Sequence, residues 1–169
     1  MKVAVVSDTH MPRHGRALPR ALVEGFEAHH IELVLHLGDF TGPEVVGWFE
    51  AVAPFDAVAG NNDGPEIAAR FGRSKVLEVE GFRLGLIHGD GRHGTTKARA
   101  VAAFEGQRVD VVLYGHSHIP HLERLGDRWV LNPGSPSDKR RQPRYSWASL
   151  DLAGGAVRPE LHFFDDRSP

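Results

Sequence analysis

Lys2-Val3-Ala4-Val5-Val6-Ser7-Asp8-Thr9-His10 sets the pattern for much of the chain: a short apolar run, then residues able to bind a metal. Lys2–Val6 has the length of a strand and lacks the polar alternation of a half-exposed one, so it reads as a strand buried on both faces. Four further runs repeat it, at Leu33–Leu37, Phe55–Ala59, Leu84–Ile87 and Val109–Tyr114. Between them apolar residues recur at helical spacing: Leu18, Ala21, Leu22 and Phe26, then Val45, Val46, Phe49 and Val52, then Ala98, Val101 and Ala102 behind an N-cap at Thr95 or Thr96. The first half therefore alternates strand and helix, which gives an α/β class. After Tyr114 the segments become β-like and are joined by Gly126-Asp127 and Gly154-Gly155, while Glu80-Gly81 fits a hairpin turn between Val76–Val79 and Phe82–Ile87. There is no internal repeat or low-complexity linker. Pro133–Pro143 is the least regular stretch and is expected to be a surface loop.

The 169 residues fit one compact domain, residues 1–169, large enough for a real core and a preformed cleft. Hydrophobic residues at 41% and charged residues at 25% exclude a disordered or fibrous class. A formal charge of -2 supplies no global positive field for nucleic acid or an anionic membrane, so any phosphate binding must be local. With no cysteine there is no disulfide framework, thiolate metal site or cysteine nucleophile. Metal chemistry would have to use oxygen and imidazole. The N-terminus lacks the apolar core of a signal peptide and no stretch is long enough to span a bilayer, so the expected location is cytoplasmic. The 11 histidines are the unusual number, because several lie beside Gly or Asp.

Each apolar run stops at a potential ligand for a hard or borderline metal: Asp8 and His10, Asp39, Asn61, His88, and finally His116 and His118. In an open α/β sheet, residues just beyond the carboxyl ends of neighbouring strands converge on one crevice. Asp8/His10 and His116/His118 are spaced i, i+2, so in extended chain both members of a pair can face the same side. Any one of these residues has a plainer reading as a turn former or a hydrogen-bonded core histidine. Seven in a self-consistent order do not share that reading. Two Asp among four His and one Asn supply two negative charges against the four positive charges of two divalent cations. A bridging hydroxide would leave the site cationic, able to hold a phosphate oxyanion, and metal coordination makes hydroxide available near neutral pH. The imidazoles favour manganese, iron, cobalt, nickel or zinc over calcium or magnesium, and ligand type alone does not choose among them.

Asp8-Thr9-His10, Gly38-Asp39, Gly60-Asn61-Asn62-Asp63, His88-Gly89 and Gly115-His116-Ser117-His118 resemble the motifs of the calcineurin-like metallophosphoesterase superfamily. The likeness runs from Lys2 to about Ser135, and Leu131-Asn132-Pro133-Gly134-Ser135 resembles the signature of its small YfcE-type phosphodiesterases. The resemblance implies a sandwich of two mixed β-sheets flanked by helices. It implies that Asp8, His10, Asp39 and His118 hold one divalent transition metal and that Asp39, Asn61, His88 and His116 hold a second, with Asp39 the bridge. It further implies a phosphodiesterase acting on a small phosphate ester, with metal-bridging hydroxide as nucleophile. Phosphomonoesterase action on nucleotides or sugar phosphates is the alternative within enzymes. A non-catalytic scaffold, as in the small retromer subunit of the superfamily, is the alternative outside them, and a homo-oligomer remains compatible with the sequence.

Two departures stand out. Larger members carry His after the metal-binding Asn as leaving-group acid, but this chain has Asn62, whose amide cannot act as a general acid and is read instead as stabilising developing charge beside the metals. Gly38-Asp39 also continues as Phe40-Thr41-Gly42 rather than into the longer motif of those enzymes. His93, in the loop after His88-Gly89-Asp90, is the candidate replacement acid. The basic run Lys139, Arg140, Arg141 and Arg144 reads as a solvated face, with Arg140 kept as the candidate substrate contact. His36 reads as support for the site rather than a ligand, Asp63 as a residue that orients a neighbour, and Trp48, Trp129 and Trp147 as core or interface residues. His14, His29, His30, His121 and His162 carry no assigned role.

Overall fold

The computed structural model describes all residues, Met1–Pro169. Ten strands and four α-helices follow in the order β1 (Lys2–Val6), α1 (Arg20–Ala28), β2 (Leu33–His36), α2 (Glu44–Glu50), β3 (Phe55–Ala57), α3 (Pro65–Phe71), β4 (Ser74–Val79), β5 (Phe82–Ile87), α4 (Thr96–Ala103), β6 (Val111–Leu113), β7 (His121–Leu125), β8 (Arg128–Asn132), β9 (Tyr145–Asp151) and β10 (Arg158–Phe164). They form two five-stranded mixed sheets, ordered β10-β9-β1-β2-β3 and β4-β5-β6-β8-β7. β1, β2 and β3 run parallel in the first sheet, with Val5 opposite Leu35 and Leu35 opposite Asp56. β5, β6 and β8 run parallel in the second.

Period-two geometry explains why β1 is apolar throughout. Val3 and Val5 face the second sheet, in a core with Leu35, Leu84, Leu86, Val111, Leu113, Leu131 and Leu150. Ala4 and Val6 face outward into a second core with Leu22 and Phe26 of α1, Val45 and Phe49 of α2, and Ile67 and Phe71 of α3. On the far side, Val112 and Val130 pack against Ala100 and Phe104 at α4. The result is helix, sheet, sheet, helix, and each fully buried Leu or Phe contributes roughly 1.5–3 kcal/mol of burial. α4 starts where expected, with Thr95 Oγ1 accepting from the Ala98 amide at 3.1 Å. Trp147 is buried between α1 and the first sheet, and Trp48 and Trp129 are half-buried against the cores.

The turns at Glu80-Gly81 and Gly126-Asp127 lie in the β4–β5 and β7–β8 hairpins. β9 and β10 also pair as an antiparallel hairpin, but Ala153–Gly155 forms a 3₁₀ turn in a wider connection than the Gly-Gly pair suggests. α3 has no counterpart in the sequence reading, because Gly64-Pro65 looks like a breaker while Pro65 actually occupies the first helical turn, where its missing N–H is not needed. Pro133–Pro143 corrects the sequence reading more seriously. Its first half, from Pro133 to Ser137, is buried, with Ser135 and Ser137 each 1% exposed, and only the stretch from Arg140 onward lies largely at the surface. Polar composition suggested a surface segment, whereas these hydroxyls are consumed by hydrogen bonds inside the molecule. No helix is long and apolar enough to cross a membrane.

Candidate metal centre

The loops leaving β1, β2, β3, β5 and β6 come from both sheets and meet at one end of the sandwich, so the crevice is formed between two sheets rather than along one. Main-chain bonds tie them together: the Asp8 amide donates to Gly38 O at 3.0 Å, His10 to Asp39 O at 2.9 Å, and Gly115 to His88 O at 3.0 Å. Five of the seven expected ligands have left-handed backbones, with φ of 56° at Asp8, 46° at His10, 59° at Asp39, 66° at His116 and 59° at His118. Asp and His tolerate this region better than most residues, but it still costs of order 1 kcal/mol each and persists only where the surroundings enforce it. Such clustering is characteristic of functional sites.

Much of the enforcement comes from residues that bind no metal. Asp63 accepts from the amides of Asp39, Thr41 and Gly60 at 2.7, 2.8 and 2.7 Å, fixing the β2 and β3 loops against each other. Gly60 passes so close to the Asp39 carboxylate that no Cβ fits there. Asn132 Nδ2 donates to Gly115 O at 2.9 Å and Ser117 Oγ at 3.0 Å, Ser135 Oγ donates to Asp8 O at 2.8 Å, and Ser137 Oγ donates to Thr9 O at 2.7 Å. The stretch from Asn132 to Ser137 is thus a clamp across the loops carrying Asp8, His10, His116 and His118. His36 lies wholly buried beneath, its Nδ1 accepting from the Gly38 amide and its Nε2 bonded to Thr9 Oγ1, so it supports the loops and has no nitrogen left for a metal. Burial holds its pKa well below the ordinary histidine value.

Two groups of three donor residues result: Asp8, His10 and His118, and Asp39, His88 and His116. Asp8 Oδ2 is taken by Ser7 Oγ at 2.7 Å and the His116 amide at 2.8 Å, which turns Oδ1 inward. Asp8 Oδ1, His10 Nε2 and His118 Nε2 are buried without any hydrogen-bond partner. Oδ1 lies 3.4 Å from His118 Nε2, 3.9 Å from His10 Nε2 and 3.8 Å from His88 Nε2. Asp39 Oδ2 lies between the groups, 3.6 Å from His10 Nε2 and 3.3 Å from His88 Nε2. Ligands about 2.1 Å from a shared ion stand roughly 3–3.5 Å apart, so this spacing and the orphaned buried atoms fit divalent metals. The ring nitrogens that face away are anchored as metal-binding imidazoles usually are: His88 Nδ1 meets Leu37 O at 2.7 Å and His118 Nδ1 meets the Asp138 carbonyl.

Electrostatics agree with a site made for cations. Burial raises the Asp8 carboxyl to about 7 despite the neighbouring His88 and Ser7. Burial would also raise Asp39, but hydrogen bonding and charge from His88, with two bonds from Asn62, hold it below the usual carboxylate range. Burial opposes a charge on His88, yet the bond to Asp39 and the charges of Asp8 and Asp39 prevail and raise it to about 9. Burial pushes His118 down to about 4 and lowers His10 and His116 as well, which leaves neutral imidazoles near pH 7.

Asn61 is exposed in the loop after β3, next in sequence to Asn62. Asn62 bonds Asp39 twice, backbone N–H to Oδ1 at 2.8 Å and Nδ2 to Oδ2 at 2.7 Å. His93 is exposed on the loop after β5, where its carbonyl accepts from Arg99 Nη1 at 2.9 Å. Arg140 lines a cleft of ≈ 470 Å³ beside the donors, together with His10, Arg13, His14, Thr41, Asn62 and Asp138. Its basic neighbours are occupied elsewhere or solvent-facing: Arg144 pairs with Asp165 at 2.8 Å and Lys139 lies over Tyr145. Sequence reasoning missed Ser7, Arg13, Asp138 and the clamping role of Asn132, Ser135 and Ser137. Only Asn132 and Ser135 carried a signal, as part of a motif whose mechanical role is invisible without the fold.

Fold and gathered donors define a class, the metallophosphoesterases. Residues 1–155 match the calcineurin-like phosphoesterase superfamily domain, and the chain belongs to that superfamily. A probable metallophosphoesterase of Methanothermobacter thermautotrophicus is 39% identical over 142 residues, covering 83% of this chain and 80% of that protein. A phosphodiesterase of Methanocaldococcus jannaschii is 30% identical over 148 residues, covering 79% of this chain and 83% of that protein. Wild-type Vps29 of Entamoeba histolytica, solved in complex with Zn2+, is 24% identical, covers 98% of this chain and 100% of its own, and shares the fold with a TM-score of 0.74.

Proposed function

We propose that the chain is a dinuclear metal-dependent phosphodiesterase acting on small phosphate diesters. The observation that carries this reading is the set of three buried, unpartnered donor atoms, Asp8 Oδ1, His10 Nε2 and His118 Nε2, facing the second group across Asp39 Oδ2. Asp8, His10, Asp39 and His118 would hold one ion, and Asp39, Asn61, His88 and His116 the other, with manganese first and nickel, cobalt, iron or zinc as alternatives. Bound there, two such ions supply positive charge for the phosphate oxygens and a water acidic enough to be a nucleophile near neutral pH. Asn62 orients Asp39 and presents an amide toward the reacting phosphate. Arg13 and Arg140 flank the adjoining cleft and provide cationic walls for the ester group that is not displaced. The Jannaschii relative's phosphodiesterase name supports the diester preference.

Asn62 also argues against the monoesterase alternative, since no imidazole stands at the position from which larger relatives protonate the leaving oxygen. A scaffold that had shed metal binding would have no use for three desolvated, unpaired donors, each costly to bury. Metal-reconstituted activity on matched aryl diesters and monoesters separates the readings. Diester hydrolysis that falls steeply with leaving-group pKa supports ours. Inactivity with every divalent metal would leave the scaffold, and monoester preference would leave the alternative enzyme. A flat leaving-group dependence would reveal a proton donor, with His93 and the cleft-lining His14 the residues to replace.

A further inference from the structure

Away from the candidate centre, the end of α1 meets the outer strands of the first sheet, and three metal-binding side chains come together there. His29 caps the C-terminus of α1, and Glu160 and His162 lie two residues apart on β10, so both project from one face of the strand. The register sets Glu160 opposite Ser149 and His162 opposite Trp147 on β9. One donor atom from each of His29, Glu160 and His162 lies within 4.8 Å of the other two, and the two imidazole centroids are 4.4 Å apart.

Their neighbours hold both rings. His29 Nδ1 donates to Gly25 O at 2.9 Å, which leaves Nε2 with a free lone pair. His162 Nε2 bonds Ser149 Oγ at 2.8 Å, and its ring stacks on Trp147 at 4.2 Å between centroids. The carbonyl partner fixes the tautomer of His29 and both contacts fix ring orientation, as in metal-binding histidines; donation from His162 Nε2 to Ser149 Oγ would leave Nδ1 for a metal. Burial, and then the proximity of His29, lowers the His162 pKa and keeps its ring neutral. Lys2, Asp151 and Arg158 join His29 and Glu160 around a hollow of ≈ 290 Å³, where two cations and two carboxylates balance.

We propose that His29, Glu160 and His162 form a separate site for one borderline divalent cation, Zn2+, Ni2+ or Cu2+, which staples the end of α1 to β10. Two imidazoles and one carboxylate with an open position are a known set for such ions. Mn2+ stands lowest in the affinity order and would not be retained. The site is independent of the phosphodiesterase reading.

Trp147 provides the readout. In Ni2+ titrations of the full chain, its fluorescence should be quenched saturably, and the His29 and His162 ring signals should broaden in NMR spectra. Both effects should persist in Asp8→Ala, which disables the candidate centre, and disappear from the fluorescence in Trp147→Phe. Loss of a mere supporting partner weakens metal binding by ~10–100-fold, so Glu160→Gln and His29→Ala should each weaken the apparent affinity by at least about tenfold. Glu160 is exposed on an edge strand, so its variant should fold normally even if His29→Ala does not. Absence of saturable quenching in the wild type would overturn the proposal. So would quenching that survives Glu160→Gln unchanged or vanishes in folded Asp8→Ala, since the ion would then lie elsewhere.

Discussion

Asp39 has both carboxylate oxygens engaged, Oδ1 by the Asn62 amide and Oδ2 by Asn62 Nδ2, with His88 3.3 Å away. Asn62 therefore steers Asp39, and on the proposed mechanism its side-chain amide would also offer a donor for developing charge. Asn62→Ala should lower kcat by ~10²–10³-fold while metal content stays at the wild-type level, because deleting one such donor removes that much transition-state stabilisation. Parallel kinetics and elemental analysis check it, and a fall in rate that simply tracked lost metal would assign Asn62 to metal retention alone. Ser7 works differently, since its hydroxyl touches only the outward oxygen of Asp8. Ser7→Ala should weaken metal affinity ~10–100-fold with kcat restored at saturating metal. At this scale the six donors that the structure gathers were legible because each follows closely on an apolar run. Ser7, Asp138 and the serines of the clamp were not, because a bond such as Ser135 to Asp8 spans 127 residues and leaves no trace in local spacing.

Elements show the same division. Strands β1, β2 and β5 and helices α1, α2 and α4 follow from apolar periodicity, because each buries the stripe or face its sequence displays. α3 was hidden by Pro65, and the buried half of Pro133–Pro143 by its polarity. Both were misread for one reason, that local composition does not say where hydrogen bonds are made. Thr95→Ala should cost about 1 kcal/mol by removing the cap of α4, and leave hydrolysis unchanged because α4 carries no donor; chemical denaturation with an activity assay checks both parts. Asp63→Ala should be the harsher change. It strands three amides in two loops, costing about 3 kcal/mol or more, and should abolish metal binding although Asp63 touches no ion. Retention of metal by a folded Asp63→Ala chain would show that the loops hold their shape without it.

For the molecule as a whole, metals and protons compete for one pocket. In the metal-free chain His88 titrates near 9 when folded against an ordinary value of 6.5 unfolded, so its proton adds stability below pH 6.5 that is lost as pH rises through 9. Asp8, raised to about 7 by burial, acts in the same sense up to that pH. The lowered His118 acts oppositely, but only between about 4 and 6.5. Thermal stability of metal-free protein should therefore fall between pH 7 and 9, at up to ~1.4 kcal/mol per pH unit, and the metal-loaded protein should not show this fall. Scanning calorimetry with and without chelator checks the sign. A dinuclear centre is tested most directly by position, in crystals of Mn2+-loaded protein measured for anomalous scattering at an energy where manganese contributes. Two peaks should appear about 3.5–4 Å apart, one beside Asp8, His10 and His118, the other beside Asn61, His88 and His116, with Asp39 touching both. A single fully occupied peak, or two peaks that do not share Asp39, would contradict it.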